Sequence, residues 1–571
     1  MRLRSLLLVT AVALNAACGG GTPDHGATGG TAGSGGPGGQ AGNGDGGRGG
    51  AGAGGASGGG GNAGSGGASS TGSGGASSTG SGGASPTGSG GAGTAGSSGG
   101  AGGNAPRPDG GTEAGTRADA AAPRDASVGD GSMVVLPPLD AGPVPAGVTA
   151  IFPPNGGRAV CPDPALHLTF AAPPTLGTAG RIQVFNAQTS AVVATVDMAA
   201  ATTTNTIGGQ PFNILRPAYV DGNDAVITLP SRALTYNQTY YVTVDSGAIR
   251  GPGNAALAIT GTTAWRFSTA AAAPASLAAI TVDTKGAGAF CSVQGAFDAL
   301  PAGNQSPVTI TVNSGIYHEI VYLAGKNNIT LSGQDRAATV IQNTNNDLQN
   351  PGTRPRTLFG VDNVTGFVVQ NLTIRNLTPQ GGSQAEALRV QNCDQCVIRN
   401  ASIFSLQDTL LAQGRVYVDN SLIAGNVDFV WGTGTVYFNK SEIRTVVRSG
   451  AVVMSRNTTN YGYVFVDSRI TSDPGITGSV LARIDATVYP QSHVAYINCE
   501  IGSHITAAGW QLTAGTATPS LRFWEFQSHD AAGNPINTSQ RLAGLTPITA
   551  AQAAMMRDPT VVLNGWQPPT Q

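Results

Sequence analysis

The amino-acid sequence predicts an all-β fold: a right-handed parallel β-helix in its second half, preceded by a small β-sandwich and a long, disordered Gly-rich linker. Three observations lead there. One strand signature ending in isoleucine recurs at Ile374, Ile403, Ile423, Ile443, Ile470 and Ile501, with separations of 29, 20, 20, 27 and 31 residues. Near-constant spacing of a single signature is what stacked coils require, each burying its apolar side against the next and expelling surplus residues as loops. Ahead of the repeat lie short alternating runs between turn residues, with no helical period, the pattern of a small sandwich. Ahead of those, glycine dominates: most of the 86 glycines precede residue 115, and such a segment has too little apolar side chain to offset its backbone entropy.

In chain order, residues 1–18 read as a lipoprotein-type export signal: Arg2 and Arg4, an apolar run to Leu14, then small residues up to Cys18. The run is too short to remain as a spanning helix, so Cys18 is the expected lipid-bearing residue and the lipid the only expected hold on a membrane. Residues 19–145 form the linker; the G-x-S-x-G pattern at Gly96, Ser98 and Gly100 falls inside it, and with no strand before it or helix after it this is chance rather than a nucleophile elbow. Residues 146–270 carry the runs V-T-A-I-F, L-H-L-T-F, R-I-Q-V-F, A-V-I-T-L, T-Y-Y-V-T-V and T-A-W-R-F-S-T. The opening F-P-P-N-G and the later Y-N-Q-T-Y-Y-V-T-V resemble bacterial Ig-like domains that precede surface enzymes; the segment shows no catalytic set and reads as a spacer, with carbohydrate binding the alternative. Residues 276–571 are the β-helix. Asn371, Asn400, Asn420 and Asn498 each stand three residues before a repeat isoleucine, a turn position where asparagine tolerates unusual backbone angles, and are read as structural.

Only 11% of residues are charged, the net charge is −2, and no basic cluster follows the first four residues, so a nucleic-acid partner is excluded. Of six cysteines, five remain after Cys18, in a compartment where disulfides form. Cys161 with Cys291 is the preferred pair. Cys393 and Cys396 form a C-x-x-C without a second pair or histidines at ligand spacing, so no metal site is read there, and no cofactor is expected.

The chemistry-bearing residues follow from the repeat. Asp408 and Asp428 each lie five residues after a repeat isoleucine, on coils separated by the minimum spacing of 20, so they should stack on one face about 4.8 Å apart at the backbone. Two such close carboxylates disfavour double ionisation: one keeps its proton and can donate it while the other stays charged. Gln384 and Gln407 are neutral amides placed to hold a developing oxyanion. A stacked aspartate ladder can also bind calcium or cap turns, and Arg448, five residues after Ile443, would then neutralise the same column. Tyr317 and Glu319, on an early strand and turn, are read as structural.

Four ordered segments, Gly315–Glu319 (G-I-Y-H-E), Gln384–Arg389 (Q-A-E-A-L-R), Gln407–Leu410 (Q-D-T-L) and Gly425–Gly432 (G-N-V-D-F-V-W-G), resemble the signature segments of pectinesterases, which are parallel β-helix enzymes. The likeness runs from about Ile280 towards the C-terminus and weakens after Arg483. It implies Asp428 as nucleophile, Asp408 as general acid/base, Gln384 and Gln407 as oxyanion-stabilising amides, and Arg483 as the arginine that orients the nucleophile. The family commonly has a tryptophan two residues after that arginine; this chain has Asp485, so its substrate cleft should differ. Trp431 offers a flat face for a sugar ring, or is a core aromatic.

The resemblance implies a carboxylic ester hydrolase acting on methyl-esterified galacturonate in pectin; a monomer is expected, and the signal around Cys18 implies export, either lipid-anchored at the cell surface or outer membrane, or secreted. Two other readings stay open: a β-helix polysaccharide lyase or glycosidase, since fold does not fix chemistry, and a non-catalytic surface glycan-binding protein. Labelled fatty acid should enter the wild-type chain and be absent from Cys18→Ala, which should accumulate as a soluble or unprocessed form; lack of label in the wild type would refute the anchor.

Overall fold

In a computed structural model, residues 142–458, 461–542 and 547–569 are described. Contacts divide the chain into Met1–Ala122 and Pro123–Gln571, and every described residue belongs to the second unit. The export signal, Cys18, the Gly96–Gly100 pattern and nearly all of the linker lie outside the described residues. Among the described residues no helix is long and apolar enough to cross a membrane.

The first part of the second unit is built on two antiparallel sheets. One orders Ala150–Phe152, Leu166–Thr169, Asp224–Ile227 and Ala218–Asp221; the other orders Gly157–Val160, Arg266–Thr269, Thr239–Val244, Arg181–Asn186 and Val192–Asp197, with its first pair parallel. Alternation puts Leu166, Leu168, Ile182, Val184, Val242 and Val244 into one core around the fully buried Trp265. A hairpin, Thr202–Ile207 with Gln210–Leu215, belongs to neither sheet. Its Ile207, Phe212 and Ile214 join the core of the following part instead.

That following part is a parallel β-helix in which each coil contributes to stacked parallel strands. The repeat isoleucines pair in register, Ile374 with Ile403, then Ile423, Ile443, Ile470 and Ile501, and none is more than 3% exposed. The sequence signature is therefore a physical column. Before each isoleucine the chain takes a left-handed step, at Asn371, Asn400, Asn420 and Asn498 with φ of 57°, 44°, 46° and 52°. Asn400 Nδ2 donates to Asn371 Oδ1 at 2.8 Å, so these side chains also pair along the stack. The coils with Lys440 and Asp467 at this position take the same step, φ 47° and 49°.

The first coil is closed by the helix Val293–Ala299, whose Ser292 cap accepts from Gly295 N–H. Glu319 accepts from Val293 and Gln294 N–H, both at 2.9 Å, and Tyr317 stands in register with Ile341 at the foot of the isoleucine column. Asp163 of the sandwich accepts from Cys291 and Ser292 N–H at 2.9 Å, next to a Cys161–Cys291 disulfide. Cys393 and Cys396 are also disulfide-bonded, and Cys499 is free and buried. The close set Cys161, Asp163 and Cys291 has both sulfurs in a disulfide and offers no thiolate to a metal.

Candidate active site

Strand register decides what stands beside what. Leu388 pairs with Leu410 and Leu410 with Val430. Glu386, Asp408 and Asp428 each lie two residues before these positions, so three acids occupy one column on successive coils. Asp408 N–H donates to Val427 O at 3.1 Å and Asp428 N–H to Ala451 O at 2.8 Å. Both aspartates are left-handed, φ 66° and 49°, at the corner before the strands Leu410–Asp419 and Val430–Gly432, a conformation short polar side chains tolerate better than branched ones.

Two arginines clamp this column. Arg483 reaches Asp428 with Nε to Oδ1 at 2.8 Å and Nη2 to Oδ2 at 2.6 Å, a two-point contact that fixes the plane of the carboxylate. Arg356 donates from Nε and Nη2 to Glu386, the shortest contact being 2.7 Å, and from Nη2 to Asp408 Oδ2 at 3.1 Å. Exposure is 0% for Glu386, 7% for Asp408 and 6% for Asp428. Burial pushes the Asp408 carboxyl up to about 8, with the neighbouring Glu386 adding to the rise and Arg356 opposing it. Burial also pushes Glu386 upward, and its contact with Arg356 pulls it back. Hydrogen bonding to Asp428 raises Arg483 above the ordinary guanidinium range.

Gln407 and Gln384 flank the column. Ala385 N–H donates to Gln407 O at 3.2 Å, and Gln407 bridges Val427 on the next coil. Gln384 Oε1 accepts from Ser383 Oγ at 2.7 Å. Both glutamines are half-buried. Trp431, in register with Leu411, is only 7% exposed; the Arg456 and Arg356 guanidinium carbons lie 4.8 and 5.9 Å from its ring centroid. These cations occupy ring face that a sugar would otherwise stack on.

The sequence of the matched segment carries further identity. Residues 279–562 match the Pectinesterase family model. Probable pectinesterase 49 of Arabidopsis thaliana is 30% identical over 250 residues, 42% of this chain and 67% of that protein. The chain belongs to the pectinesterase family. Pectinesterase 31 of Arabidopsis thaliana is 32% identical over 210 residues, and this chain spans 65% of its length. Among solved structures, pectin methylesterase from carrot is similar with a TM-score of 0.46 and 25% identity, over 50% of this chain and 93% of that one. Pectin methylesterase PemA from Erwinia chrysanthemi is similar with a TM-score of 0.43 and 23% identity, over 52% and 98%.

Two sequence expectations need correction or completion within this pectinesterase part. Arg448 is exposed and stands outside the acid column. The loop after Ile443 is longer than in the two preceding coils, so the next position in register is Ala451, whose carbonyl receives Asp428 N–H. Asp485 accepts from Thr487 N–H at 2.9 Å and Thr487 Oγ1 at 2.5 Å. It therefore starts a turn, beyond which the Tyr489 ring comes to 5.9 Å from the Arg456 guanidinium. Glu386, Arg356 and Arg456 were missed by sequence reasoning. Glu386 was findable, since it precedes Leu388 by the interval that separates Asp408 from Leu410; Arg356 comes from an irregular loop with no periodic signal.

The raised Asp408 carboxyl has a consequence for stability. An acid whose folded pKa, about 8, exceeds its unfolded value near ~3.9 favours folding fully at low pH and loses that advantage as pH rises through the folded pKa. Asp408→Asn removes this dependence. Its melting temperature should exceed that of the wild type by a gap that widens from pH 5 to pH 8, whereas a constant or inverted gap would show that Asp408 ionises normally.

Proposed function

We propose that this protein is a pectin methylesterase, with Asp428 as nucleophile and Asp408 as general acid/base. The observation that carries the reading is the asymmetry of two stacked aspartates: one held flat by two bonds from Arg483, the other buried and raised to about 8. At neutral pH the second is a proton donor. Family membership supports an ester substrate.

In this reading an Asp428 oxygen attacks the methyl ester carbonyl of a galacturonate unit, and the carbonyl electron pair moves onto oxygen beside the Gln384 and Gln407 amides. Collapse breaks the bond to methoxide, which takes the Asp408 proton and leaves as methanol. The Asp408 carboxylate then removes a proton from water as it attacks the acyl-enzyme, which frees Asp428 and the galacturonate acid and returns the proton to Asp408. Arg483 orients Asp428 through its two-point contact. Trp431 and Tyr489, both in contact with the Arg456 guanidinium, are the aromatic surfaces offered to the polymer. A calcium ladder is disfavoured by the two guanidiniums already neutralising the column. With a lipid on Cys18 the enzyme would act at the cell surface or outer membrane, and without it in the secreted form.

Methanol release from highly methylated pectin tests the proposal. It should persist in chelator, fall to near background in Asp428→Asn with the circular dichroism unchanged, and fall about 10²- to 10³-fold in Gln384→Ala or Gln407→Ala. The wild-type rate should decline as pH rises through the Asp408 value of about 8. Folded Asp428→Asn with substantial methanol release would exclude the nucleophile, and unsaturated or shortened chains without methanol would point to a lyase or glycosidase.

A further inference from the structure

The hairpin that leaves the sandwich ends on the loop that supplies Arg356. Its turn residue Gly208 approaches so closely that a Cβ there would lie 2.3 Å from the Tyr322 carbonyl oxygen of the β-helix. Phe212 packs on the Tyr322 ring at 6.2 Å, and Phe212 is 1% exposed. The contact is thus dry and backbone-close. At its edge the Asn350 side chain pairs with the Asn213 backbone: Oδ1 accepts the Asn213 N–H at 2.7 Å, and Nδ2 donates to the Asn213 carbonyl at 2.9 Å.

The same Asn350 Nδ2 donates its second hydrogen to Asn345 Oδ1 at 2.8 Å. Asn345, fully buried, donates from Nδ2 to the carbonyls of Pro355 and Thr357, each at 2.8 Å. Those two carbonyls flank Arg356 in the sequence. Arg356 in turn holds Glu386 and Asp408. The amides in this relay use complementary donors and acceptors at each junction, as a buried network must if it is to fix one geometry.

We propose that the sandwich that precedes the β-helix helps to position the site: its Thr202–Leu215 hairpin, read through Asn350 and Asn345, holds Arg356 in place against Glu386 and Asp408. Asn350 and Asn345 are positioning residues; neither touches the reacting aspartates. This rests on the esterase reading for its kinetic consequences but not for its structural ones. Asp408 is faced by Glu386 and Asp428 from the neighbouring coils, by Arg356 from the relay loop, and by Arg456 and Arg483. Of these, Arg356 is the cation bonded to it directly. Loosening Arg356 removes a force that lowers the Asp408 pKa, so the pKa rises further.

The test uses the full chain with Asn350→Ala. Hydrogen exchange should quicken across residues 344–357 and stay unchanged in the strands of the isoleucine column. With methylated pectin, kcat should fall roughly tenfold, since small misplacements of a positioned group carry penalties of this order. KM should stay within about twofold, as expected when binding is untouched, and the alkaline limb should move to higher pH. If Asn350→Ala does not fold, Asn350→Asp replaces it, keeping the acceptor for the Asn213 N–H while losing the donors to the Asn213 carbonyl and to Asn345. Unchanged exchange in the loop, or faster exchange with unchanged kcat and alkaline limb, would overturn the inference. A wild-type chain that releases no methanol would overturn the esterase reading instead, and the exchange measurement would still decide whether the relay exists.

Discussion

Parallel stacking sets each residue of one coil about 4.8 Å above its counterpart, and in this protein that spacing forces Glu386, Asp408 and Asp428 against one another in a buried column. Three carboxylates cannot share such a site fully ionised. The structure answers with two guanidiniums placed at opposite ends, Arg356 on Glu386 and Arg483 on Asp428. The middle acid has only a single bond from Arg356 and takes up the excess, rising to about 8. The asymmetry between the two aspartates, one held at two points by Arg483 and the other at one by Arg356, is therefore a product of where two arginines enter a repetitive stack.

Rigidity follows from the same repetition. Isoleucine stands over isoleucine through the acid-bearing coils, and Phe438, Phe465 and Tyr496 stack at 4.2 and 4.7 Å on another face. Neither aspartate can shift along the stack without moving a filled core column. The arginines do not share this origin. Arg483 extends from a strand, whereas Arg356 comes from an irregular loop, and that loop is braced by amides that reach the Thr202–Leu215 hairpin.

How much of this could be read from residues alone depends on periodicity. The isoleucine ladder and the left-handed asparagines before it were legible because each coil repeats them, and the Asp408–Asp428 stack followed by counting from Ile403 and Ile423. Counting fails at Arg448, since the loop after Ile443 has extra residues and the register resumes only at Ala451. It also passed over Glu386, which lies after an insertion but keeps its distance to the following strand, so counting backwards from Leu388 is the more dependable direction. Arg356 and the hairpin were illegible for another reason. Their role depends on contacts between residues more than 130 apart, such as Asn213 and Asn350, separated by 137, and alternating polarity in Thr202–Leu215 gives no sign of which core it fills. Trp431 is legible as an aromatic from its place in the V-D-F-V-W-G segment, whereas the guanidiniums packed on it are invisible to any sequence pattern.

The central claim is that Asp408 holds its proton at neutral pH. It is tested most directly by carbon-13 NMR of the folded protein labelled at aspartate side-chain carboxyls, with the Asp408 signal identified by its loss in Asp408→Asn. The account predicts a titration midpoint near the structure's value of about 8, displaced downward in Glu386→Gln because that charge no longer opposes ionisation. A midpoint in the ordinary carboxylate range, near ~4, would contradict it.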